Sequence, residues 1–278
     1  MDTGLYIVAT PIGNLQDLSM RALEVLAHVD LIAAEDTRHT QRLLQHYGLA
    51  SPVVAYHDHS DKRAIERLCE HLANKRSVAF VTDAGTPLIS DPGYRLVRAV
   101  QDAGFATIPV PGPCAAIAAL SVSGLPTDSF VFEGFLPAKS GARAKRLGEL
   151  CDTAATMIFY ESPRRVRETL EAMMAVFGAE REAAMARELT KAFETVKRAS
   201  LQSLHTLVTA DPNQRKGEIV LLISGARPSP TAISSDIATL LERLGRELPA
   251  KKAAAIVSEH TGLRKSVLYE FLLARKGL

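Results

Sequence analysis

Short apolar runs alternate with segments of helical periodicity over the first 110 residues, and this alternation constrains the fold more than any other feature of the sequence. The apolar runs occupy residues 5–9, 31–34, 53–54, 77–81 and 107–110. The segments between them are amphipathic, as with Ala22, Val25 and Leu26 in a helix predicted over residues 21–28. Apolar strands that alternate with helices are typical of a mostly parallel sheet covered on both faces. The first part of the chain is therefore predicted to be an α/β domain.

The regular alternation breaks at residues 111–113, Pro-Gly-Pro, which predicts a domain boundary there. We expect an N-terminal α/β domain over residues 1–112 and a second α/β domain with more antiparallel character over residues 113–227. Residues 227–230, Arg-Pro-Ser-Pro, have the composition of a linker. Residues 231–278 are predicted to be a separate helical domain. Within it, a helix at 251–260, a tight turn at 261–263 and a helix at 264–275 have helix-turn-helix spacing.

Composition is ordinary for a globular protein, with 47% hydrophobic and 23% charged residues and a formal net charge of +2. The three cysteines are scattered, which favours a reducing cytosol over a disulfide framework or a zinc site. The start of the chain lacks the basic residues of a signal peptide, and no apolar run approaches membrane-spanning length. We therefore expect a cytoplasmic protein without a membrane segment.

The stretch from Val81 to Gly93 predicts part of a ligand pocket. Glycines and prolines crowd the loop directly after a buried strand, and Asp83 stands at the strand's carboxyl end. Two other Gly/Pro loops, at residues 10–14 and 111–116, also follow strands of the same predicted sheet. Loops at the carboxyl edge of such a sheet meet, so the three should form a pocket walled largely by backbone, with Asp83 bracing the turn.

Several common sites are disfavoured. Neither the G-x-G-x-x-G dinucleotide fingerprint nor a phosphate-binding G-x-x-x-x-G-K-[ST] loop occurs, which argues against hydride transfer and nucleotide hydrolysis. His57 and His59 have a spacing that a metal could use, but two histidines in a turn without further ligands are more often part of a polar loop. No metal is expected.

Two polar segments that directly follow predicted strands are candidate catalytic groups. Residues 35–40, Glu-Asp-Thr-Arg-His-Thr, could orient a hydroxyl and move its proton, or could simply begin a solvated helix. Residues 187–191, Arg-Glu-Leu-Thr-Lys, could hold a phosphate and accept a proton, or could form structural ion pairs. The sequence leaves both pairs of alternatives open.

Basic charge is concentrated towards the C-terminal end. Residues 232–278 contain three more basic than acidic residues, against +2 for the whole chain. This excess suits a small nucleic-acid-binding module, although a helical docking or dimerisation domain is an alternative. Arg164 and Arg165 follow another predicted strand and could either track a polynucleotide backbone or form an exposed helix face.

A series of distinctive strings resembles one family over residues 5–278, including the helical tail. Members of the ribosomal RNA small subunit methyltransferase I family, within the tetrapyrrole-methylase superfamily, are similar at these segments. The strings are Leu5-Tyr-Ile-Val-Ala-Thr-Pro-Ile-Gly-Asn-Leu15, Ala34-Glu-Asp-Thr-Arg-His-Thr40, Thr82-Asp-Ala-Gly-Thr-Pro-Leu88, Asp91-Pro-Gly93, Pro111-Gly-Pro-Cys-Ala-Ala116, Glu133-Gly-Phe-Leu-Pro137, Phe159-Tyr-Glu-Ser162, Ala186-Arg-Glu-Leu-Thr-Lys191 and Lys216-Gly-Glu218.

This resemblance implies two α/β domains with S-adenosylmethionine in the cleft between them, and a homodimer. It also implies 2′-O-methylation of a cytidine, position 1402, in the decoding centre of 16S rRNA, within the small ribosomal subunit. The family's cofactor contacts fall on Pro11, Ile12, Gly13, Gly85, Thr86, Pro87, Ile89, Ala115, Ala116, Phe159, Tyr160, Ala186 and Gly217. The first loop departs from the more glycine-rich form of many members, since Thr10 and Pro11 replace part of it.

Methyl transfer to a ribose hydroxyl requires a proton acceptor and precise positioning of the oxygen. The candidate catalytic residues are Glu188, Asp36 and His39 as proton acceptors and Lys191 as a cation. Lys191 or Arg187 would stabilise the developing alkoxide or a flanking phosphate. The candidate RNA-binding residues are Arg38, Arg164, Arg165, Arg187, Lys251, Lys252, Arg264 and Lys265. Two alternatives are a tetrapyrrole methyltransferase of the same fold, disfavoured by the basic tail, and a non-catalytic nucleic-acid-binding regulator, disfavoured by the crowded polar strand ends.

Overall fold

A computed structural model describes residues 1–57, 62–226 and 233–276. The chain divides into two compact units, residues 1–225 and residues 226–278. The larger unit contains two five-stranded sheets, each with its own set of helices. The α/β class predicted from the alternation of strands and helices is therefore confirmed.

The first sheet is entirely parallel, with strand order β3-β2-β4-β1-β5. Its strands are β1 (Gly4–Val8), β2 (Leu31–Ala34), β3 (Val53–Ala55), β4 (Ser77–Val81) and β5 (Thr107–Val110). The helices that connect them are α1 (Met20–His28), α2 (Thr37–His46), α3 (Lys62–Ala73) and α4 (Tyr94–Asp102).

Both faces of this sheet are buried, which explains why its strands are continuous apolar runs. In β1, Leu5 packs with α3 and α4, whereas Tyr6 and Val8 pack against α1. Successive side chains of a strand point to opposite faces, so a sheet covered on both sides needs apolar residues at every position. Because all five strands run in the same direction, their carboxyl ends lie at one edge of the sheet.

The second sheet is mixed, with strand order β6-β7-β10-β8-β9. Only β6 and β7 pair in parallel, and the remaining pairs are antiparallel, as the sequence predicted. The strands are β6 (Phe130–Phe135), β7 (Thr156–Glu161), β8 (Glu182–Arg187), β9 (Thr195–Ser200) and β10 (Ile219–Ile223). The helices are α5 (Ala115–Ser123), α6 (Ser140–Glu149), α7 (Val166–Phe177) and α8 (Leu201–Ala210).

Helix α5 covers one face of the second sheet, and α6, α7 and α8 cover the other. Helix α8 was not expected from the sequence. Its start is capped by the Ser200 hydroxyl, which accepts a hydrogen bond from the Ser203 amide at 3.3 Å. Leu201, Leu204 and Val208 bury its apolar stripe in the core.

The smaller unit consists, in its described part, of the helices α9 (Ser235–Glu247), α10 (Ala250–Thr261) and α11 (Lys265–Lys276). Gly262 adopts a left-handed conformation, with φ of 72°, and ends α10 as predicted for the tight turn. Leu241, Val257 and Leu268 lie in a separate buried core. No helix within the three described ranges is long and apolar enough to cross a membrane.

Candidate active site

The three Gly/Pro loops at the carboxyl edge of the first sheet are joined by hydrogen bonds. The Thr10 amide donates to the Gly85 carbonyl at 2.8 Å, and the Gly85 amide donates back to the Thr10 carbonyl at 3.0 Å. The Thr86 hydroxyl then donates to the Pro113 carbonyl at 2.9 Å. The loops after β1, β4 and β5 therefore form one continuous wall.

A cavity of about 350 Å³ lies between this wall and the second sheet. The size is within the range of ordinary small-molecule sites. Eight of the predicted cofactor-binding residues line it, namely Ile12, Gly85, Thr86, Ile89, Ala115, Tyr160, Ala186 and Gly217. The other five predicted contacts are not part of its lining, namely Pro11, Gly13, Pro87, Ala116 and Phe159.

Two of those five have a structural role that the sequence did not reveal. The Phe159 side chain is completely buried in the core on the α6–α8 face of the sheet, because it alternates with Tyr160 along β7. The Ala116 amide, near the start of α5, donates a hydrogen bond to the Tyr160 hydroxyl at 3.1 Å. Ala116 thus holds the hydroxyl of Tyr160, which lines the cavity, whereas Phe159 belongs to the core on the other face of the sheet.

Small residues make the cavity wall accessible to a ligand's polar groups. Ala84, Gly85, Ala115, Ala186 and Gly217 all line the cavity, and their lack of bulk keeps the wall close to the backbone. Gly85 has φ of 78°, which disfavours any side chain at this position. Such a wall suits a ligand recognised through backbone groups.

Tyr160 provides an aromatic side of the cavity. Its ring packs edge-on against Phe132 and Phe135, with centroid distances of 5.0 and 5.7 Å. Burial raises the pKa of the Tyr160 hydroxyl, and the charge of the Cys114 thiolate would raise it further. The hydroxyl consequently stays protonated at neutral pH and serves as a polar, uncharged group.

A cluster of one lysine and two glutamates lies beside the cavity, where β8 ends and β10 begins. The Lys191 Nζ donates to Glu188 Oε1 at 2.8 Å and to Glu218 Oε2 at 3.0 Å. Glu188 Oε1 also accepts a hydrogen bond from the Glu218 amide at 3.0 Å. Glu218 itself lines the cavity. The cluster is therefore connected to the cavity wall through Glu218.

The charges in this cluster stabilise each other. The hydrogen bond from Lys191 lowers the pKa of the Glu188 carboxyl more than burial raises it. Burial by itself lowers the pKa of Lys191, but the hydrogen bonds to Glu188 and Glu218 outweigh it and raise that pKa overall. At neutral pH the cluster therefore contains an ammonium group beside carboxylates.

Two glycines allow the cluster to form. A Cβ at Gly217, where φ is 78°, would lie 2.2 Å from Glu188 Cδ. A Cβ at Gly13 would lie 2.5 Å from Lys191 Cγ. Gly13, predicted as a cofactor contact, thus brings the first loop against Lys191.

The other two predicted catalytic residues occupy a different position. Asp36 is the N-cap of α2, and its carboxylate accepts a hydrogen bond from the Arg38 amide at 2.8 Å. This bond lowers the pKa of the Asp36 carboxyl. His39 is exposed on α2. Neither residue belongs to the cavity lining.

Asp83 joins two loops rather than bracing only its own turn. Its Oδ1 accepts a hydrogen bond from the Asp36 amide at 3.2 Å, which connects the end of β4 with the end of β2. The side chain is not part of the cavity lining.

Two of the predicted RNA-binding arginines have guanidinium groups that are engaged within the protein. Arg187 is 7% exposed, and its guanidinium donates to the carbonyls of Phe193 and Lys216. The Arg165 guanidinium donates to the Leu136 carbonyl at 2.7 Å and lies 3.5 Å from the Glu161 carboxylate. A guanidinium held in this way supports loops instead of presenting its charge to solvent.

The other six predicted RNA-binding residues are exposed. In the larger unit these are Arg38 and Arg164, and in the smaller unit they are Lys251, Lys252, Arg264 and Lys265. The four residues of the smaller unit lie at the start of α10 and at the turn and start of α11.

Twelve residues of the cavity lining were not among the predicted site residues, and Asp91, Phe135 and Glu218 are three of them. Burial raises the pKa of the Asp91 carboxyl, and the nearby Asp83 charge adds to this effect. All three lie within strings that were noted for their resemblance, but only the structure shows which member of each string faces the cavity.

The histidine pair that suggested a metal is described only in part. His57 follows β3, whereas His59 lies outside the described residues. Among the residues that the structure describes, no group of three or more His, Cys, Asp or Glu side chains could hold a metal ion.

Two family models match the chain. Tetrapyrrole (Corrin/Porphyrin) Methylases match residues 4–205, and the RsmI C-terminal HTH domain matches residues 231–276. Solved structures with the same fold include the uroporphyrin-III-C-methyltransferase from Thermus thermophilus. It has a TM-score of 0.57 and 20% identity, with coverage of 80% of this chain and 94% of that one. A cobalt precorrin-4 methyltransferase has a TM-score of 0.60 and 14% identity, with coverage of 79% and 94%.

Much more similar relatives span nearly the whole chain. A protein of Pseudomonas aeruginosa named ribosomal RNA small subunit methyltransferase I is 50% identical over 98% of both chains. A protein of the same name from Vibrio cholerae is 52% identical over 98% of this chain and 95% of its own. The chain therefore belongs to the ribosomal RNA small subunit methyltransferase I family of tetrapyrrole methylases, and its methyl donor is S-adenosylmethionine.

Proposed function

We propose that the protein methylates the ribose 2′-oxygen of a cytidine in the decoding centre of 16S rRNA, and that it acts as a homodimer in the cytoplasm. The observation that carries the proposal is the Lys191 cluster beside a cavity walled by backbone. This arrangement places an ammonium group and carboxylates next to a site for a small ligand, as a methyl transfer to a hydroxyl would need.

The choice of substrate is supported by the relatives and by the smaller unit. The relatives that are about half identical over nearly the full length carry the name of a small-subunit rRNA methyltransferase. The smaller unit exposes Lys251, Lys252, Arg264 and Lys265 on two helices joined by a tight turn. Exposed basic side chains on such helices suit contacts with phosphates.

The cavity fits S-adenosylmethionine. Its wall includes the small residues Ala84, Ala115 and Gly217, which let the polar groups of an amino acid and an adenosine approach the backbone. Tyr160 adds an apolar ring and a protonated hydroxyl. When bound, the cofactor supplies a methyl group that is already activated by the positive charge on sulfur.

The protein's main chemical task is then to hold the hydroxyl in line and to receive its proton. We assign Lys191 to the first part, because a protonated ammonium can donate to the ribose oxygen or to a neighbouring phosphate. We assign Glu188 to the second. Its lowered pKa makes it a weak base, but the hydroxyl becomes strongly acidic once the new O–C bond forms, so a late proton transfer is favourable. Asp36 and His39 rank lower because Lys191 and Glu188 are joined by hydrogen bonds to Glu218 of the cavity lining, whereas Asp36 is engaged as the N-cap of α2.

A methyl-transfer assay with three acceptors tests the function. Radiolabelled S-adenosylmethionine is offered with unmethylated small subunits, with free 16S rRNA and with a tetrapyrrole. We expect label in small subunits, recovered as 2′-O-methylcytidine after nuclease digestion. Label only in the tetrapyrrole would support the alternative enzyme, and absence of transfer to all three would favour a non-catalytic regulator.

Removal of residues 232–278 tests the role assigned to the smaller unit. We expect the truncated protein to bind small subunits more weakly while retaining the affinity for S-adenosylmethionine, because every cavity residue lies in residues 1–225. Calorimetry for the cofactor and a filter-binding assay for the subunits separate the two effects. An equal loss of both affinities would contradict this division of roles.

A further inference from the structure

Phe135 is an aromatic side chain at the cavity wall that is 56% exposed. We propose that Phe135 is the platform on which the base of the target nucleotide stacks when that nucleotide leaves its helix; this inference rests on the proposed rRNA methylation. Covering an exposed phenylalanine ring with an apolar partner is favourable. The ring at the cavity mouth is therefore available to pack against a ligand.

A β-bulge aims Phe135 at the cavity. The register between β6 and β7 shifts between Phe132 and Gly134, so one extra residue is accommodated just before Phe135. Gly134 has φ of 64°, and a Cβ there would lie 2.6 Å from Ser90 Oγ. Only glycine permits this close approach of β6 to the loop that carries Ser90. Bulges beside active sites commonly redirect a side chain in this way.

Contacts with Tyr160 and Arg165 hold the Phe135 ring and the backbone after it in place. Phe135 packs edge-on against Tyr160 at 5.7 Å, and the Tyr160 hydroxyl is fixed by the Ala116 amide at 3.1 Å. The backbone that follows Phe135 is fixed as well, because the Arg165 guanidinium donates to the Leu136 carbonyl at 2.7 Å. A ring fixed in this manner loses little conformational freedom when a base stacks on it.

Positive charge accompanies the platform. Lys139 lies four residues after Phe135, and Arg164 directly follows Pro163, which lines the cavity. Both side chains are exposed, and Arg165 joins the two segments that carry them. A flat apolar ring with flanking cations matches the chemistry of a nucleotide, which has a base with a π-face and a charged phosphate.

The proposed reaction takes place on the ribose, so the base attached to that ribose is the group that reaches the cavity mouth. A ribose within a duplex cannot enter a cavity of this kind, so the target nucleotide has to be unstacked. The unstacked base loses its neighbours, and an aromatic ring can replace them. Stacking of this type tolerates different bases, so Phe135 would position the nucleotide rather than select cytosine.

The test compares Phe135→Leu with Phe130→Leu in the full-length protein. Phe130 begins the same strand, is 42% exposed and does not line the cavity, which makes it a matched control. We measure kcat and KM for unmethylated small subunits at saturating S-adenosylmethionine, and the cofactor Kd by calorimetry. For F135L we expect a roughly tenfold loss of kcat/KM, about 1.4 kcal/mol, with an unchanged cofactor Kd.

The aromatic character is tested by Phe135→Tyr, which should recover most of the lost kcat/KM, whereas F130L should retain wild-type kinetics. Normal kcat/KM for F135L would overturn the inference. A parallel rise in the cofactor Kd would assign Phe135 to the cofactor site, and a changed oligomeric state in light scattering would assign it to a subunit contact; either result overturns the platform. Absence of transfer by the wild-type protein would overturn the proposed function together with the inference.

Discussion

Two polar strand ends that are similar in sequence have different positions and roles. Residues 35–40 after β2 and residues 187–191 after β8 both combine carboxylates, cations and hydroxyls. After β8, Lys191 connects Glu188 with Glu218 at the cavity wall. After β2, Asp36 caps a helix and His39 is exposed. Composition at a strand end therefore indicates a candidate site, but the neighbouring segments decide whether one forms.

The neighbour that makes the difference is the segment before β10. Strand β10 lies between β7 and β8, which brings Gly217 and Glu218 beside Glu188 although they are about thirty positions away in sequence. At the β2 end, the Asp36 amide donates to Asp83 at the end of β4, and the Asp36 carboxylate accepts from the Arg38 amide of its own helix. Glu218 lines the cavity whereas Asp83 does not, and this difference distinguishes the two ends.

The largest effect is expected from Gly217→Ala, because this substitution disrupts the close contact between the segment before β10 and Glu188. The new Cβ would overlap the Glu188 carboxyl group at 2.2 Å, so the carboxylate must move and release Lys191. We expect methyl transfer to fall by roughly a hundredfold, because small displacements at a reacting centre have effects of this size. Single-turnover transfer to small subunits is the measurement.

Gly104→Ala is the control for the backbone conformation alone. Gly104 has φ of 80°, close to the 78° of Gly217, but a Cβ there meets no atom within 4 Å. Gly104→Ala should lower the thermal stability by the backbone cost of a positive φ, which it shares with Gly217→Ala. Methyl transfer per folded molecule should stay normal. Equal activity of the two variants would show that the Glu188 geometry has no part in the reaction.

The first sheet could be predicted from the sequence because each of its strands has a signal within its own few residues. Parallel strands buried on both faces leave continuous apolar runs, and every carboxyl end lies at one edge. The meeting of Thr10, Gly85 and Pro113 followed from this rule alone. The helix-turn-helix of the smaller unit was similarly visible from helical spacing and Gly262.

The second sheet could be predicted only in part because its pairing is non-local. Sequence spacing does not show that β10 inserts between β7 and β8, or that Arg187 is used to hold the carbonyls of Phe193 and Lys216. The direction of Phe135 depends on a bulge whose glycine contacts Ser90 from another loop. Helix α8 was missed because it directly follows β9, without an intervening loop.

A smaller effect is expected when side chains rather than backbone are changed at the two strand ends. Lys191→Met removes the ammonium group, and we expect kcat to fall by about one to two orders of magnitude. This is less than for the loss of an oxyanion-hole donor, because Lys191 does not itself line the cavity. His39→Gln changes an exposed residue outside the cavity lining, so its kcat should stay within about twofold of the wild type.

The pair of variants discriminates between the two ends as sources of catalytic groups. Steady-state kinetics with small subunits give kcat for each, and calorimetry shows whether cofactor binding is retained. If His39→Gln lost more activity than Lys191→Met, the catalytic role would belong to the β2 end, and the assignment of Lys191 would be wrong.

The smallest effect is a change in the pKa of one carboxyl group at each strand end. It can be measured without an activity assay. The pKa of Glu188 is lowered mainly by Lys191, whereas the pKa of Asp36 is lowered mainly by the Arg38 amide. Each carboxylate consequently contributes stability above its unfolded pKa, and this contribution is lost as the pH falls through the folded pKa. In Lys191→Met the pKa of Glu188 should rise while that of Asp36 stays unchanged. Carbon-13 NMR titration, with Glu188→Gln and Asp36→Asn for assignment, measures both values. A Glu188 pKa that did not move would mean that its carboxylate is stabilised by the Glu218 amide, and the lysine would then be free to serve the substrate alone.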